Sequence, residues 1–160
     1  MEIFSIRLED GPEDRQFVES LDARLVDVID LHARTREEIA AFQASFTSTA
    51  WSEENASGAT FLAENEAGHR VGYVHVREGV DDILEEPCGY IALLAVSKNC
   101  EGKGVAQALV RRAEEWTAEA GFSRLTLDVF SSNTRALSFY DRQGFRAETV
   151  RLVKTLREAR

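Results

Sequence analysis

The sequence predicts an α/β fold, in which helices cover the faces of a mixed sheet, on three observations. Segments of strand-like and helical hydrophobic periodicity follow one another in the order β-α-α-β-β-β-α-β-α-β. Gly121 and Gly144 stand where the last two predicted helices end. No stretch rich in Pro, Gly or Ser divides the chain, so we expect one domain over residues 1–160.

The N-terminal half contributes the first strand, two helices and two further strands. Residues 3–8 alternate apolar and polar side chains as a strand does, and Pro12 is well placed to begin a helix. A capping box over residues 35–38 predicts a second helix that runs to about Phe46. The remaining segments are strands over Thr60–Glu64 and Gly72–Arg77 around a turn at 66–69, then a polar loop over Gly79–Pro87.

The C-terminal half alternates strands and helices. Tyr90–Val96 is an almost continuous apolar run, which predicts a buried strand. The helix that begins at Val105 places apolar side chains three or four residues apart on one face, namely Val105, Leu109, Ala113 and Trp116. The last predicted elements are a strand over Arg124–Phe130, a helix over Thr134–Gln143 and a strand within Phe145–Leu156.

Composition and charge exclude several classes of function. A formal net charge of −9 argues against a general nucleic-acid-binding protein and slightly favours a cationic substrate. No apolar stretch approaches membrane-spanning length, and the first residues lack the pattern of a signal peptide. Cys88 and Cys100 form no metal-binding motif and are too few for a disulfide framework. We therefore expect a cytoplasmic protein with reduced thiols, no bound metal and no membrane partner.

The most informative segment is the polar turn between strand Tyr90–Val96 and the helix that begins at Val105. Gly102 and Gly104 lie in this turn, and two glycines ahead of a helix expose the unpaired N–H groups of its first turn. The helix dipole favours an anion at the same place, most often a phosphate. The segment therefore predicts an anion-binding site.

Three kinds of phosphate site compete for this turn. The P-loop motif is absent. A dinucleotide-binding fingerprint has its first two glycines and Asp128 at the expected distance, but Gln107 occupies the position of its third glycine. The third alternative is a site for the diphosphate of an acyl-CoA.

Two motifs lie in register on the predicted elements. Leu94-Ala95-Val96 is followed, five residues on, by Glu101-Gly102-Lys103-Gly104-Val105-Ala106. Further along stand Asn133, Ala136, Tyr140 and Gly144-Phe145. Together these motifs resemble the GNAT superfamily of N-acetyltransferases. The resemblance implies a mixed, mostly antiparallel sheet of about six or seven strands with about four helices, and acetyl-CoA as co-substrate.

The resemblance also assigns residues to acetyl-CoA. They are Leu94, Ala95, Val96, Glu101, Gly102, Lys103, Gly104, Val105, Ala106, Asn133, Ala136 and Tyr140. It implies that the end of strand Tyr90–Val96 separates from the next strand, and that a backbone N–H near Leu94 or Ala95 faces the thioester oxygen.

Glu101 departs from the family pattern, which usually has Arg or Gln at this position. A carboxylate beside a diphosphate costs Coulomb energy. We therefore expect the Glu101 side chain to point to solvent or toward Lys103 or Lys98, and acetyl-CoA to bind more weakly in consequence.

Acetyl transfer to an amine needs an acid for the departing thiolate and a base for the amine proton. The resemblance implies Tyr140 as the acid, and its alternative is a core aromatic residue packed with Phe139 and Phe145. Asp128 stands where some relatives place an acidic residue that relays the amine proton. Its alternative is an exposed or salt-bridged residue without a catalytic role.

Two further alternatives concern His75 and Asn133. His75 is a second candidate base, because the ordinary pKa of histidine suits the task, and a base acting through water would leave no sequence signal. Asn133 is either an N-cap of the following helix, a contact of acetyl-CoA, or both.

The function that follows is direct acetyl transfer from acetyl-CoA to a primary amine of a small molecule or a peptide. The alternative is an acyl-CoA-binding sensor or a non-catalytic domain, which Glu101 and the open choice of base favour. Family members often dimerise, so the resemblance allows a homodimer. Nothing in the sequence identifies the amine.

Overall fold

Five strands form one sheet, with five α-helical segments packed around it, in a computed structural model that describes residues 3–157. The strands are β1 (Ser5–Leu8), β2 (Ala59–Glu64), β3 (Arg70–Asp81), β4 (Glu86–Val96) and β5 (Leu125–Leu127). The helices are α1 (Pro12–Ser20), α2 (Asp22–Asp27), α3 (Arg36–Ser48), α4 (Val105–Glu119) and α5 (Thr134–Arg142). Short 3₁₀ turns cover Thr49–Trp51, Glu53–Asn55 and Lys98–Cys100.

The strands lie in the sheet in the order in which they occur along the chain. β1 to β4 pair in antiparallel fashion, and β5 pairs with β4 in parallel. The parallel step is made by α4, since parallel neighbours need a crossover connection. The predicted mixed, mostly antiparallel sheet is therefore confirmed.

One face of the sheet packs against α4. Val105, Leu109 and Ala113 are buried there, as predicted, and Trp116 packs against the same cluster. The helix approaches β4 closely at Gly89, where a Cβ atom would lie 2.3 Å from the Thr117 hydroxyl oxygen. Burial of this apolar stripe fixes α4 and therefore fixes the turn that precedes it.

The opposite face packs against the N-terminal helices. Its buried residues are Val18, Leu21, Ala50, Leu62, Tyr73, Leu93 and Ala95. The capping box at the start of α3 is present as predicted, with Thr35 accepting from the Glu38 backbone and Glu38 from the Thr35 backbone. The first helical region is interrupted at Leu21, so it forms two segments, α1 and α2.

Asp14 ties α1 to two strands through a buried ion network. Its carboxylate is 1% exposed and accepts hydrogen bonds from Arg7 at 2.6 and 2.9 Å and from Arg70 at 2.6 Å. The backbone N–H of Asp10 donates to the same group at 2.7 Å. The hydrogen bond from Arg7, followed by that from Arg70, holds the pKa of Asp14 well below its usual range. This carboxylate is therefore ionised in the folded protein.

The predicted number of strands is wrong. The sheet has five strands within residues 3–157, not six or seven, because no strand forms over residues 145–156. Side chains there, such as Val150 and Leu152, are 73% and 89% exposed. Apolar alternation predicts a strand only where a partner strand is available, and β5 has only three residues.

The predicted polar loop over Gly79–Pro87 is also wrong. β3 and β4 continue as a hairpin to the pair Asp81 and Glu86, which leaves a turn of four residues. The sequence pattern of polar, exposed strand ends resembles that of a loop, because such ends pair through their backbone and need no apolar side chains.

Candidate active site

The turn between β4 and α4 presents backbone N–H groups to an open space. Gly102 and Gly104 have φ angles of 75° and 89°, a left-handed conformation that favours glycine. A Cβ atom at either position would meet no heavy atom within 4 Å. No side chain caps α4, which begins at Val105. The first N–H groups of a helix of 15 residues therefore have no side-chain acceptor and can receive an anion.

Glu101 is held between arginines from two helices. One of its carboxylate oxygens accepts a hydrogen bond from Arg24 of α2, and the other accepts from Arg135 Nη1 of α5 at 2.8 Å. Arg24 also donates from Nε to the Val96 carbonyl oxygen at 2.8 Å. The Arg135 hydrogen bond, with a smaller contribution from Arg24, lowers the pKa of Glu101. The expected partners were solvent or a lysine, and the structure places two arginines, Arg24 and Arg135, against this carboxylate.

The edge of β4 beside this turn lacks a strand partner. Pairing with β5 ends at Ile91 and Leu127, whereas β4 continues to Val96. A bulge falls at Ala92, because β3 skips this residue between Ile91 and Leu93. Residues 92–96 therefore carry backbone groups that no described strand pairs on the β5 side. This is the separation of strands that the family resemblance implies.

Asp128 lies where the two strands separate. It follows the last paired residue of β5, is exposed, and accepts a hydrogen bond from the Tyr90 hydroxyl at Oδ2, over 2.9 Å. Burial, and then this hydrogen bond, raise the pKa of Tyr90, so the tyrosine stays a donor. The Arg77 guanidinium lies 5.8 Å from the centre of the Tyr90 ring and donates to the Thr49 hydroxyl at 2.9 Å. Asp128 is thus exposed at the split and oriented by a tyrosine.

His75 is unsuited to act as a base on a bound molecule. It is 1% exposed, its Nδ1 lies 2.8 Å from the Thr60 hydroxyl, and its Nε2 has no hydrogen-bond partner in the described residues. Burial, with a smaller effect from Arg77, lowers the pKa of His75 to about 4. The imidazole is therefore neutral and inaccessible, which argues against the catalytic alternative.

We expect His75 to make folding sensitive to mild acid. Its pKa is about 4 in the folded protein and about 6.5 in an unfolded chain. The unfolded state therefore binds more protons between these values, and the free energy of unfolding falls as the pH is lowered from about 6.5 to about 4. The slope from this one group is at most about 1.4 kcal/mol per pH unit. Urea titrations across this range should give a smaller slope for His75→Gln, and equal slopes would contradict the assignment.

Tyr140 occupies an aromatic environment on α5. Its ring centre lies 5.1 Å from that of Phe139 and 5.5 Å from that of Phe145. Burial raises its pKa, so the phenol is protonated at neutral pH. Within residues 3–157 no hydrogen bond or ring contact joins Tyr140 to Asp128. The structure thus contains the predicted aromatic packing, and the role of Tyr140 as an acid stays a prediction.

The other predicted site residues contribute mainly through backbone. Val105 is buried in the core, while Leu94 and Val96 pack against the same cluster. Asn133 caps α5, since its side-chain oxygen accepts from the Ala136 N–H at 3.1 Å. The capping role is therefore confirmed, and contact with acetyl-CoA stays a prediction. Cys88 and Cys100 are both free and buried.

Sequence reasoning missed four residues of this region. Arg24 and Arg135 hold Glu101, and Arg77 and Tyr90 line the face that carries Asp128. Arg135 lies inside the second motif, two residues after its asparagine, and its position there was a usable signal. Arg24 is 77 residues from its partner, and no sequence pattern connects them.

The sequence profile of the acetyltransferase (GNAT) family matches residues 25–145. The chain belongs to the GNAT acetyltransferase family. The match includes both motifs, the turn before α4 and Tyr140. Among residues 3–157 no helix has the length and apolar character that crossing a bilayer requires.

Curated relatives of this GNAT protein include N-acetyltransferases with different acceptors. N-alpha-acetyltransferase MAK3 of Arabidopsis thaliana is 46% identical over 57 residues, which are 36% of this chain and 30% of that protein. Aminoglycoside N(6')-acetyltransferase type 1 of Stenotrophomonas maltophilia is 32% identical over 102 residues, 62% of this chain and 66% of that protein. The chain therefore spans less than two thirds of either relative.

Solved structures share the fold over nearly the whole chain. A Pyrococcus furiosus protein assigned as an acetyl transferase has a TM-score of 0.77 and 25% identity. The alignment covers 96% of this chain and 100% of that chain. AAC(6')-Iy, in complex with a CoA-containing bisubstrate analogue, has a TM-score of 0.62 and 17% identity. That alignment covers 98% of this chain and 99% of that chain. At that identity the second likeness supports the fold alone.

Proposed function

We propose that this chain is an acetyl-CoA-dependent N-acetyltransferase that transfers the acetyl group directly to a primary amine of a small molecule or a peptide. The observation that carries the proposal is the unpaired edge of β4 over residues 92–96, which leads directly into the open glycine turn before α4. Membership of the GNAT family supports the reaction class. A homodimer and a cytoplasmic location remain predictions from the sequence.

The residues of the turn fit the anionic part of acetyl-CoA. The backbone N–H groups of residues 102–106 would hold the diphosphate, and the absence of side chains at Gly102 and Gly104 leaves room for it. The β4 edge from Leu94 to Val96, apart from the Val96 carbonyl oxygen that accepts from Arg24, would pair with the amides of the pantetheine arm, as an added strand does. Asn133 and Ala136 lie at the start of α5, next to Arg135, which contacts the turn through Glu101. When bound, acetyl-CoA supplies an activated acetyl thioester.

Tyr140 is the proposed general acid. Its raised pKa keeps the phenolic proton in place at neutral pH, so it has a proton to give to a departing thiolate. The aromatic rings of Phe139 and Phe145 fix the orientation of its side chain and exclude water from one side of it. A backbone N–H near Leu94 or Ala95, on the unpaired edge, would stabilise negative charge on the reacting carbonyl oxygen.

Asp128 is the proposed general base. Its Oδ2 accepts the Tyr90 hydroxyl, while its Oδ1 accepts no hydrogen bond from the described residues and is available for an amine proton. The carboxylate is exposed at the point where β4 and β5 separate, and a negative charge there also attracts an ammonium group. Tyr90 orients this base, as a fixed partner does in other acid–base sites.

The pairing of Glu101 with two arginines weakens the charge argument for the sensor alternative. Glu101 favoured it, because a lone carboxylate beside the turn would repel a diphosphate. The carboxylate is instead paired with two arginines, so the cluster of Arg24, Glu101 and Arg135 carries two positive charges and one negative charge, a net +1.

The proposed function is tested by thiol release from acetyl-CoA over a panel of amines. The panel includes an aminoglycoside, a polyamine, an amino sugar, free amino acids, and peptides with a free N-terminus or lysine. At least one amine should raise CoA release about 100-fold or more over hydrolysis alone, with an acetylated amine detected by mass spectrometry. Tight CoA binding without turnover on any amine would favour the sensor, and no binding at millimolar CoA would refute both.

A further inference from the structure

Three charged side chains from distant parts of the chain meet at the first residue of the glycine turn. We refer to Arg24, Glu101 and Arg135 together as the charge cluster. Arg24 reaches the turn from α2 and Arg135 reaches it from α5, and each donates to a different oxygen of the Glu101 carboxylate. Glu101 directly precedes Gly102, the first of the two glycines that shape the turn. The cluster therefore borders the N–H groups proposed to hold the diphosphate.

The exposed ion pair of the cluster, between Glu101 and Arg135, contributes little to the stability of the fold. The side chain of Arg135 is 72% exposed, and the side chain of Glu101 is 30% exposed. An ion pair with one partner in solvent adds little to the stability of a protein, because water and salt screen it. The pair of Glu101 and Arg135 is thus a poor candidate for a purely structural device, although Arg24 also anchors the end of β4 through Val96.

We propose that Arg24 and Arg135 are diphosphate-binding residues and that Glu101 positions them while lowering the affinity. The inference rests on the proposed function. In the common family pattern the first position of the turn supplies a cation or an amide from its own side chain. In this chain two cations are supplied from α2 and α5, and Glu101 holds both guanidinium groups at the turn. A guanidinium keeps several N–H donors beyond those that bind one carboxylate, so each arginine can also donate to a phosphate oxygen.

The cluster makes affinity for CoA a function of its net charge. The wild type has a net charge of +1, Glu101→Gln raises it to +2, and Arg135→Ala lowers it to zero. The Gln side chain keeps an oxygen that accepts from an arginine, so the positions of the guanidinium groups are largely preserved. The double variant Glu101→Gln with Arg135→Ala returns the cluster to +1.

Titration calorimetry with CoA, at low ionic strength, tests this charge series. We expect Arg135→Ala to weaken CoA binding about tenfold and Glu101→Gln to tighten it about three- to fivefold. The double variant should lie between the two single variants. Arg24→Ala should weaken binding as Arg135→Ala does, and Arg24→Lys, which keeps the charge but loses the Nε donor to the Val96 carbonyl oxygen, should restore only part of the lost affinity.

Matched controls and a second ligand separate the explanations. Arg142→Ala removes the same charge from the exposed end of α5, and Glu114→Gln removes one from the exposed face of α4, so both should bind CoA like wild type. 3′-Dephospho-CoA should give the same order of affinities, because the proposal concerns the diphosphate. If the order appears only with CoA, the cluster binds the 3′-phosphate and the proposal is wrong. Added salt should reduce the differences in CoA affinity between the variants.

Other results would also overturn the proposal. If the Arg135→Ala and Arg24→Ala variants both bind CoA like wild type, the arginines do not contact the diphosphate. If the Glu101→Gln variant binds CoA as weakly as the arginine variants do, binding requires the carboxylate itself to hold the turn in place. If wild type binds CoA and the order fails, only this inference is refuted. If wild type does not bind CoA, the proposed function fails first.

Discussion

Replacing Tyr140 with phenylalanine is expected to lower kcat about 100- to 1,000-fold, with the KM for acetyl-CoA changed by about twofold or less. The substitution removes only the hydroxyl and keeps the ring, so the packing against Phe139 and Phe145 is retained. The loss falls on kcat because a proton given to the departing thiolate is needed in the transition state and not in the bound ground state. Initial rates of thiol release with the best amine of the panel measure it.

Tyr73 supplies the matched control for this prediction. Its hydroxyl is buried and has no hydrogen-bond partner among the described residues, and it plays no part in the proposed reaction. Tyr73→Phe should therefore leave kcat unchanged and leave the protein as stable as wild type or slightly more stable. A Tyr140→Phe enzyme that keeps the wild-type rate would show that the acid is another group or water. A Tyr73→Phe enzyme that loses the rate equally would attribute both effects to packing.

Replacing Asp14 with alanine is expected to destabilise the fold by about 3 kcal/mol. The carboxylate is 1% exposed and joins Arg7 of β1 to Arg70 of β3, so its removal leaves two partly buried guanidinium groups without their shared partner. The two arginine side chains are themselves 34% and 31% exposed, and solvent offsets part of the loss. Urea unfolding at neutral pH, followed by circular dichroism, measures the difference from wild type.

The same carboxylate predicts how the difference depends on pH. The pKa of Asp14 is lowered in the folded state, so its contribution is complete above the ordinary pKa of about 4 and is lost as the pH falls below it. The gap between wild type and Asp14→Ala should therefore narrow on acidification below about pH 4. Glu13→Ala is the control, because the adjacent Glu13 side chain is 84% exposed and its removal should cost well under 1 kcal/mol. Equal losses from both variants would contradict the importance of the buried network.

Local signals in the sequence predicted the parts of the fold that local contacts create. Thr35 and Glu38 satisfy each other within one helical turn, and Val105, Leu109 and Ala113 lie on one face by helical geometry alone. The glycine turn was equally readable, because positive φ angles at Gly102 and Gly104 require that residue type. Each of these features depends on residues close together in the chain.

Features that depend on distant pairing were not predictable in the same way. The pairing of Glu101 with Arg24 and Arg135 joins three separate elements, and a single sequence does not show which exposed charges will meet. The polar ends of β3 and β4 pair through backbone, which leaves no side-chain pattern. The strand expected within Phe145–Leu156 does not form: the sheet ends at β5, which has only three residues, and apolar side chains such as Val150 and Leu152 stay exposed.

The residues of the candidate site also differ in how far the sequence alone could predict them. The turn was predicted from its two glycines, and Asn133 and Asp128 became candidates through the family resemblance, whereas the orientation of Asp128 by Tyr90 depends on two strands that lie side by side. His75 looked suitable because the ordinary pKa of histidine is near neutrality. Burial at the centre of the sheet lowers that pKa and removes the side chain from solvent, and neither effect is visible in residue type alone.

A crystal structure of the chain with CoA tests most directly whether the edge of β4 and the turn before α4 form the site of the acyl donor. We expect the diphosphate within hydrogen-bond distance of N–H groups in residues 102–106, and the pantetheine arm along residues 92–96 with its sulfur near the Tyr140 hydroxyl. Density for CoA at another surface, with this turn and strand edge empty, would contradict it.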